Sequence, residues 1–186
     1  MVTVFLAQGF EEIEAITPID VLRRAGLEVR ICSITDSSVV EGAHGIFVAA
    51  DLTLSQWRGM PLEEELAILP GGMPGTLHLK ACAPLRDRLL RLNEKGARLA
   101  AICAAPTVLG DLGLLKDKSA CCYPGMEGEL FAGSVSFSPV TVSKNVITSR
   151  GAGTAFAFAL RLVALLKGEE SAAALAKGMC FEGAWN

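Results

Sequence analysis

Hydrophobic and polar positions alternate along the chain in blocks: a short continuous apolar run, a turn, then a longer stretch with helical spacing. VTVFLA (Val2 to Ala7) reads as a buried strand. It is followed by Gly9 and an acidic helix start, EEIEAITPIDVLRRAG, in which Glu11 and Glu12 suit the positive end of a helix dipole. Pro18 predicts a kink or a restart within that helix, and Gly26 its C-terminal cap. LEVRICSI (Leu27 to Ile34) is a second strand. GIFVAAD (Gly45 to Asp51) follows a polar turn and pairs with Ser38 to Glu41 as a small hairpin. ELAILP (Glu65 to Pro70) is a third buried strand ending in GGMPG, residues 84–95 form an amphipathic helix closed by Gly96, and RLAAIC is the next buried strand. Pro106 to Leu114 is helical. VTVSKNVITS, broken at Lys144-Asn145, is a hairpin, and Ala155 to Lys167 is a helix closed by Gly168 and apolar almost all round, hence buried on two sides.

Continuous apolar strands alternating with helices predict an α/β fold, a mostly parallel sheet covered on both faces. Neither a repeat nor a linker divides the chain, so residues 1–186 read as a single domain. Composition narrows the function. Half the residues are hydrophobic (51%), which excludes disorder. Seventeen basic and 20 acidic residues give a net charge of −3, and the basic residues are scattered, so a nucleic-acid partner is not expected. The N-terminus lacks a basic leader, and the longest apolar run, Ala155 to Leu166, contains Arg161 and falls short of the ~18 residues a membrane span needs. The expectation is a cytoplasmic protein with no membrane partner and with reduced thiols. Six cysteines and two histidines show no zinc-type spacing, so no metal is expected.

In such folds ligands bind beyond the carboxyl ends of the strands. Three strand ends carry chemistry. Gly71 and Gly72 in LPGGMPG form either a tight turn or a nest of backbone N–H groups suited to an oxyanion. Cys103, in AICAA, is either a core thiol among alanines or a nucleophile at a strand-to-helix corner, where small neighbours are needed on both sides. At such a corner the following helix is expected to lower the thiol pKa. Glu14, on a largely apolar pattern after the first strand, is either a helix-start carboxylate or a partner for Cys103. An ionised Glu14 would raise both pKa values; a protonated one would donate to a thiolate. Cys121 and Cys122, vicinal in SACCYPG, and Cys32, Cys82, Cys180 and His78 carry weaker signals and read as structural.

These residues resemble the ThiJ/PfpI superfamily, and within it the DJ-one (parkinsonism-associated protein deglycase) branch in its bacterial form. The resemblance rests on AQGFEEIEAITPIDVLRRAG, AILPGGMPGTLHL, AAICAAPTVL and ITSRGAGTAFAFAL, which span nearly the whole chain. It implies a flavodoxin-like three-layer sandwich, a homodimer and no cofactor. It also implies that Cys103 is the reactive cysteine and Glu14 its protonated partner. Gly72 and the Ala104 amide would form the oxyanion site, with Gly71 alongside. Arg150 would be an anion-binding arginine, and His44 a basic residue at the pocket edge. Tyr123 stands where human-like members carry histidine, and Ala104 where peptidase-like members carry one. The implied functions are glyoxalase- or deglycase-type hydrolysis of a small reactive carbonyl, or alternatively oxidation of Cys103 in a redox sensor or chaperone; peptidase activity is not expected.

Overall fold

A computed structural model describes residues 1–185. Six strands form the central sheet: β1 (Val2–Leu6), β2 (Val29–Ser33), β5 (Leu66–Leu69), β6 (Arg98–Ile102), β9 (Val140–Ser143) and β10 (Val146–Ser149), in the order β2-β1-β5-β6-β10-β9. All neighbours run parallel except β9, which returns antiparallel beside β10 as the predicted hairpin. The period of two along each strand sorts side chains between two cores. Val2, Val4 and Leu6 of β1, Ile68 of β5 and Ile102 of β6 enter one; Phe5, Ala67, Leu69 and Ala101 enter the other.

The first core is covered by α1 (Glu12–Arg24), α6 (Ala155–Lys167) and α7 (Glu169–Gly178). α6 lies between α1 and α7, which is why its apolar residues extend around most of its surface. The second core is covered by α2 (Leu54–Trp57), α3 (Gly75–Ala81), α4 (Ala83–Glu94) and α5 (Pro106–Asp111). The result is the flavodoxin-like three-layer sandwich that the resemblance implies. Outside the sheet, β3 (Val39–Glu41) and β4 (Phe47–Ala49) make the predicted hairpin, and β7 (Ser119–Ala120) pairs with β8 (Ser134–Val135).

The glycine stops follow from backbone geometry. Gly26 (φ 72°) and Gly96 (φ 77°) close α1 and α4 in the left-handed conformation, each with the following residue's N–H reaching back to the last turn. Pro18 neither ends nor restarts α1: the helix is continuous across it, and Pro18 is buried, so packing outweighs the missing backbone donor. On the far side of the sheet, Arg88 of α4 is held in a buried ion pair, its Nε 2.6 Å from Glu64 Oε1. Its Nη2 donates to the Pro61 carbonyl at 2.9 Å, and its guanidinium lies 5.8 Å from the centre of the Trp57 ring. No helix among the described residues is long and apolar enough to cross a membrane.

Candidate active site

The three chemistry-bearing strand ends converge because their strands are neighbours. Leu69 pairs with Ala101 in the β5–β6 ladder, so Gly71 leaves β5 beside Cys103 leaving β6. β1, on the other side of β5, delivers the Gly9–Glu14 turn to the same edge. A Cβ added at Gly71 would lie 2.7 Å from both Cys103 Cβ and Glu14 Oε2, so the absence of a side chain there is what lets the three meet. Gly72 adopts φ 93°, and a Cβ there would collide with the Glu11 backbone.

Cys103 itself has φ 64°, a conformation that a non-glycine residue adopts at a cost of about 1–3 kcal/mol. The corner is fixed on both sides: the Cys103 N–H donates to the Ser149 carbonyl at 3.0 Å, and its own carbonyl accepts from the Tyr123 N–H at 2.8 Å. The thiol therefore stands off the end of β6, half-buried, on an open cavity of about 380 Å³. Gly72, Ala104, Met73, Tyr123 and Met126 line the rest of it.

Glu14 is 1% exposed. Its carboxyl is hydrogen-bonded to the Cys103 thiol, accepts from the Gly71 N–H at 2.9 Å, and accepts from the Ala152 amide. Burial, above all, pushes its pKa up from 4.5 to about 7, with the Glu11 charge adding to the rise. Cys103 is pushed up as well, from 9.0 to about 12, first by burial and then by the Glu14 charge; the Ala104 and Gly72 amides pull the other way. The thiol is therefore not depressed as the corner predicts. α5 has six residues and starts at Pro106, which has no N–H to offer, so only those two amides act on the sulfur. The two groups hold at least one proton between them through neutral pH.

Other predicted site residues fall in different places. The Gly71 N–H serves the Glu14 carboxyl, leaving Gly72 and Ala104 as the amides that face the sulfur. Tyr123 is half-exposed on the cavity wall. Arg150 follows β10 and lines the adjoining cavity, not the one that holds Cys103. His44 lines neither: its N–H and its Nδ1 each lie 2.6 Å from a Glu12 carboxylate oxygen, which ties the β3–β4 hairpin to the start of α1. Burial alone would raise the Glu12 pKa, but the bonds from His44 win and lower it. Glu11, Glu12 and His44 have ligand atoms within 4.8 Å of one another, yet Glu11 already caps the Glu14 N–H and both Glu12 oxygens serve His44. Ala152 was not legible as a site residue. Its contribution is a backbone amide, for which RGAG after the last strand is the one trace.

The model of the DJ-1/PfpI family matches residues 1–165. The chain belongs to the DJ-1/PfpI family. Among relatives in this family, Protein DJ-1 homolog B of Arabidopsis thaliana is 40% identical over 169 residues, covering 90% of this chain but 38% of that protein, so the chain spans well under half of that relative's length. Glutathione-independent glyoxalase DJR-1.2 of Caenorhabditis elegans is 35% identical over 172 residues, 91% of this chain and 90% of that protein. The structure of oxidized Toxoplasma gondii DJ-1 superposes with a TM-score of 0.93 at 36% identity and covers 98% of both chains.

Proposed function

We propose that this protein is a cysteine-dependent stress-response hydrolase of reactive carbonyls, acting on methylglyoxal or its early adducts through Cys103 and Glu14. The observation that carries the reading is the thiol at a left-handed corner, hydrogen-bonded to a buried carboxyl and facing an open cavity. Above its pKa of about 7, Glu14 accepts the thiol proton as sulfur bonds to the aldehyde carbon. The amides of Gly72 and Ala104 then hold the alkoxide that forms. Moving the aldehyde hydrogen as a proton to the neighbouring carbon, by way of Glu14, gives a lactoyl thioester. Water cleaves it to lactate and the free thiol. Carbon one is oxidised and carbon two reduced within the substrate, so the sequence balances without an outside oxidant, metal or organic cofactor. The name of the Caenorhabditis elegans relative, a glutathione-independent glyoxalase, supports this reading.

A second reading is favoured by the oxidized state named for the Toxoplasma gondii structure. Here two peroxide molecules convert the Cys103 thiol to a sulfinic acid with release of two waters, and Glu14 and the two amides hold its oxygens, as in a redox sensor or chaperone. Ala104 next to the nucleophile argues against a peptidase. Ile13 and Ile16 on α1 and Ile46 and Phe47 on the hairpin are exposed apolar residues that suit a second copy of the chain, so a cytoplasmic homodimer is the proposed form; light scattering on the purified protein tests it. The functional readings are separated by incubating wild type and Cys103→Ala with methylglyoxal and measuring lactate. Cys103-dependent turnover supports the hydrolase. Its absence, with dioxygen addition to Cys103 before any other cysteine under mild peroxide, supports the sensor.

A further inference from the structure

The carboxyl end of β10 carries a group that the chemistry above does not use. Ser149 lies opposite Ile102 in the β10–β6 ladder, so Arg150 leaves the sheet beside Cys103 on the adjacent strand, about 4.8 Å across. Arg150 is half-buried, and among the described residues no carboxylate pairs with it. It lines a cavity of about 410 Å³ with Pro139 and the Gly151–Thr154 loop. Tyr123 and Pro124 line both this cavity and the thiol cavity, and so form the wall between them. The Tyr123 ring packs against the loop, 3.6 Å from where a Cβ on Gly151 would stand.

A guanidinium keeps its charge at every physiological pH and presents a planar fork of donors matched to carboxylate or phosphate. Half-buried and without an acid of its own, it is a binding group waiting for an anion. A small neutral dicarbonyl fits within the thiol cavity and leaves this fork unused. We infer that the site is bipartite: the compound that brings an electrophilic carbon to Cys103 also carries a carboxylate or phosphate, which passes the Tyr123–Pro124 wall and is held by Arg150. This rests on Cys103 being the reactive group and names the substrate class as acidic carbonyl compounds rather than neutral ones.

Iodoacetyl derivatives of glycine, β-alanine and γ-aminobutyrate, each compared with its terminal amide, test it without requiring turnover. Sulfur bonds to the methylene carbon, iodide leaves, and the thiol proton passes to Glu14 or solvent. Rates at Cys103 are read by peptide mass mapping. At one chain length the acid is expected to outrun its amide by about tenfold, the size of one charge-assisted contact pair. Arg150→Gln should return that ratio to the value for a free thiol, and Arg150→Lys, which keeps the charge but not the fork, should retain part of it. The ratio is the readout because misfolding would slow acid and amide alike. Acetate or inorganic phosphate should slow the favoured acid competitively, and whichever does so tells carboxylate from phosphate. Equal acid and amide rates at every length, a ratio indifferent to Arg150→Gln, or competition by neither anion would overturn the inference. An acid preference in a protein that produces no lactate from methylglyoxal keeps the anion compartment and removes the hydrolase reading instead.

Discussion

Replacing Glu14 by glutamine separates two properties of Cys103 that a simple reactive-thiol picture ties together. In the wild type the thiol stands at about 12 rather than 9.0, three powers of ten in thiolate fraction, with burial the larger cause and the Glu14 charge the second. Glutamine keeps the shape and can still accept from the Gly71 N–H, but it removes the charge. If one to two of those powers of ten belong to Glu14, the thiolate fraction at pH 8 rises about 10- to 100-fold. A less basic thiolate is also a poorer nucleophile, by about a factor of three per pKa unit, so the net gain in alkylation is about 3- to 10-fold. Methylglyoxal turnover, which needs a base for the proton transfers, should fall by at least about 100-fold in the same variant. Iodoacetamide kinetics from pH 6 to 10, followed at Cys103 by mass spectrometry, give the first number and lactate release the second. Slower alkylation of Glu14→Gln than of wild type across that range would refute the reasoning, because it would place the shared proton on Glu14 and make the resting sulfur a thiolate.

The same carboxyl sets a pH dependence of stability. Its folded pKa of about 7 lies above the unfolded 4.5, so the folded state binds the extra proton and stability is lost as pH rises through that window. Glu14→Gln should therefore be more stable than wild type at pH 8, by up to about 3 kcal/mol, with the difference closing below pH 5 in urea titrations. Because Cys103 sits at φ 64°, Cys103→Gly should exceed Cys103→Ala in stability by about 1 kcal/mol, the reverse of the order in a helix or strand, measured by chemical denaturation. Gly71→Ala would push a methyl against Cys103 Cβ and Glu14 Oε2, and should abolish turnover while the circular dichroism of the sheet persists. Arg88→Ala strands the buried Glu64 carboxylate and should cost about 3–5 kcal/mol in thermal or urea unfolding, without altering the pH profile of Cys103 alkylation.

What the chain discloses before folding follows from which forces are local. The parallel strands announce themselves because burial on both faces demands unbroken apolar runs, and Gly26, Gly96 and Gly168 mark helix ends because left-handed backbone favours glycine. α7 escapes notice because EESAAALAKG buries only two alanines and so has almost no apolar contrast. Strands β7 and β8 have two residues each, too few for a period. At the site, Cys103, Glu14 and Gly72 are recognisable from small neighbours and strand ends. The proton balance is not, since it depends on how deeply Glu14 sinks and how near the sulfur lies. Nor are the division of labour between Gly71 and Gly72 and the partition by Tyr123, which depend on a few ångströms of tertiary placement. Arg150 is legible as a cation, but its separate compartment is not.

The corner at Cys103 is bolted through its backbone, with the N–H held by Ser149 and the carbonyl by Tyr123, while the side chains around it are not part of the mount. Substitution at positions such as 123 or 104 thus alters what the sulfur meets without loosening what holds it, provided the main chain keeps its course. Chemical novelty at this mouth is decoupled from folding risk. A lineage carrying the frame can try hydrolysis, sensing or some other use of sulfur by changing the furniture around an unmoved hook.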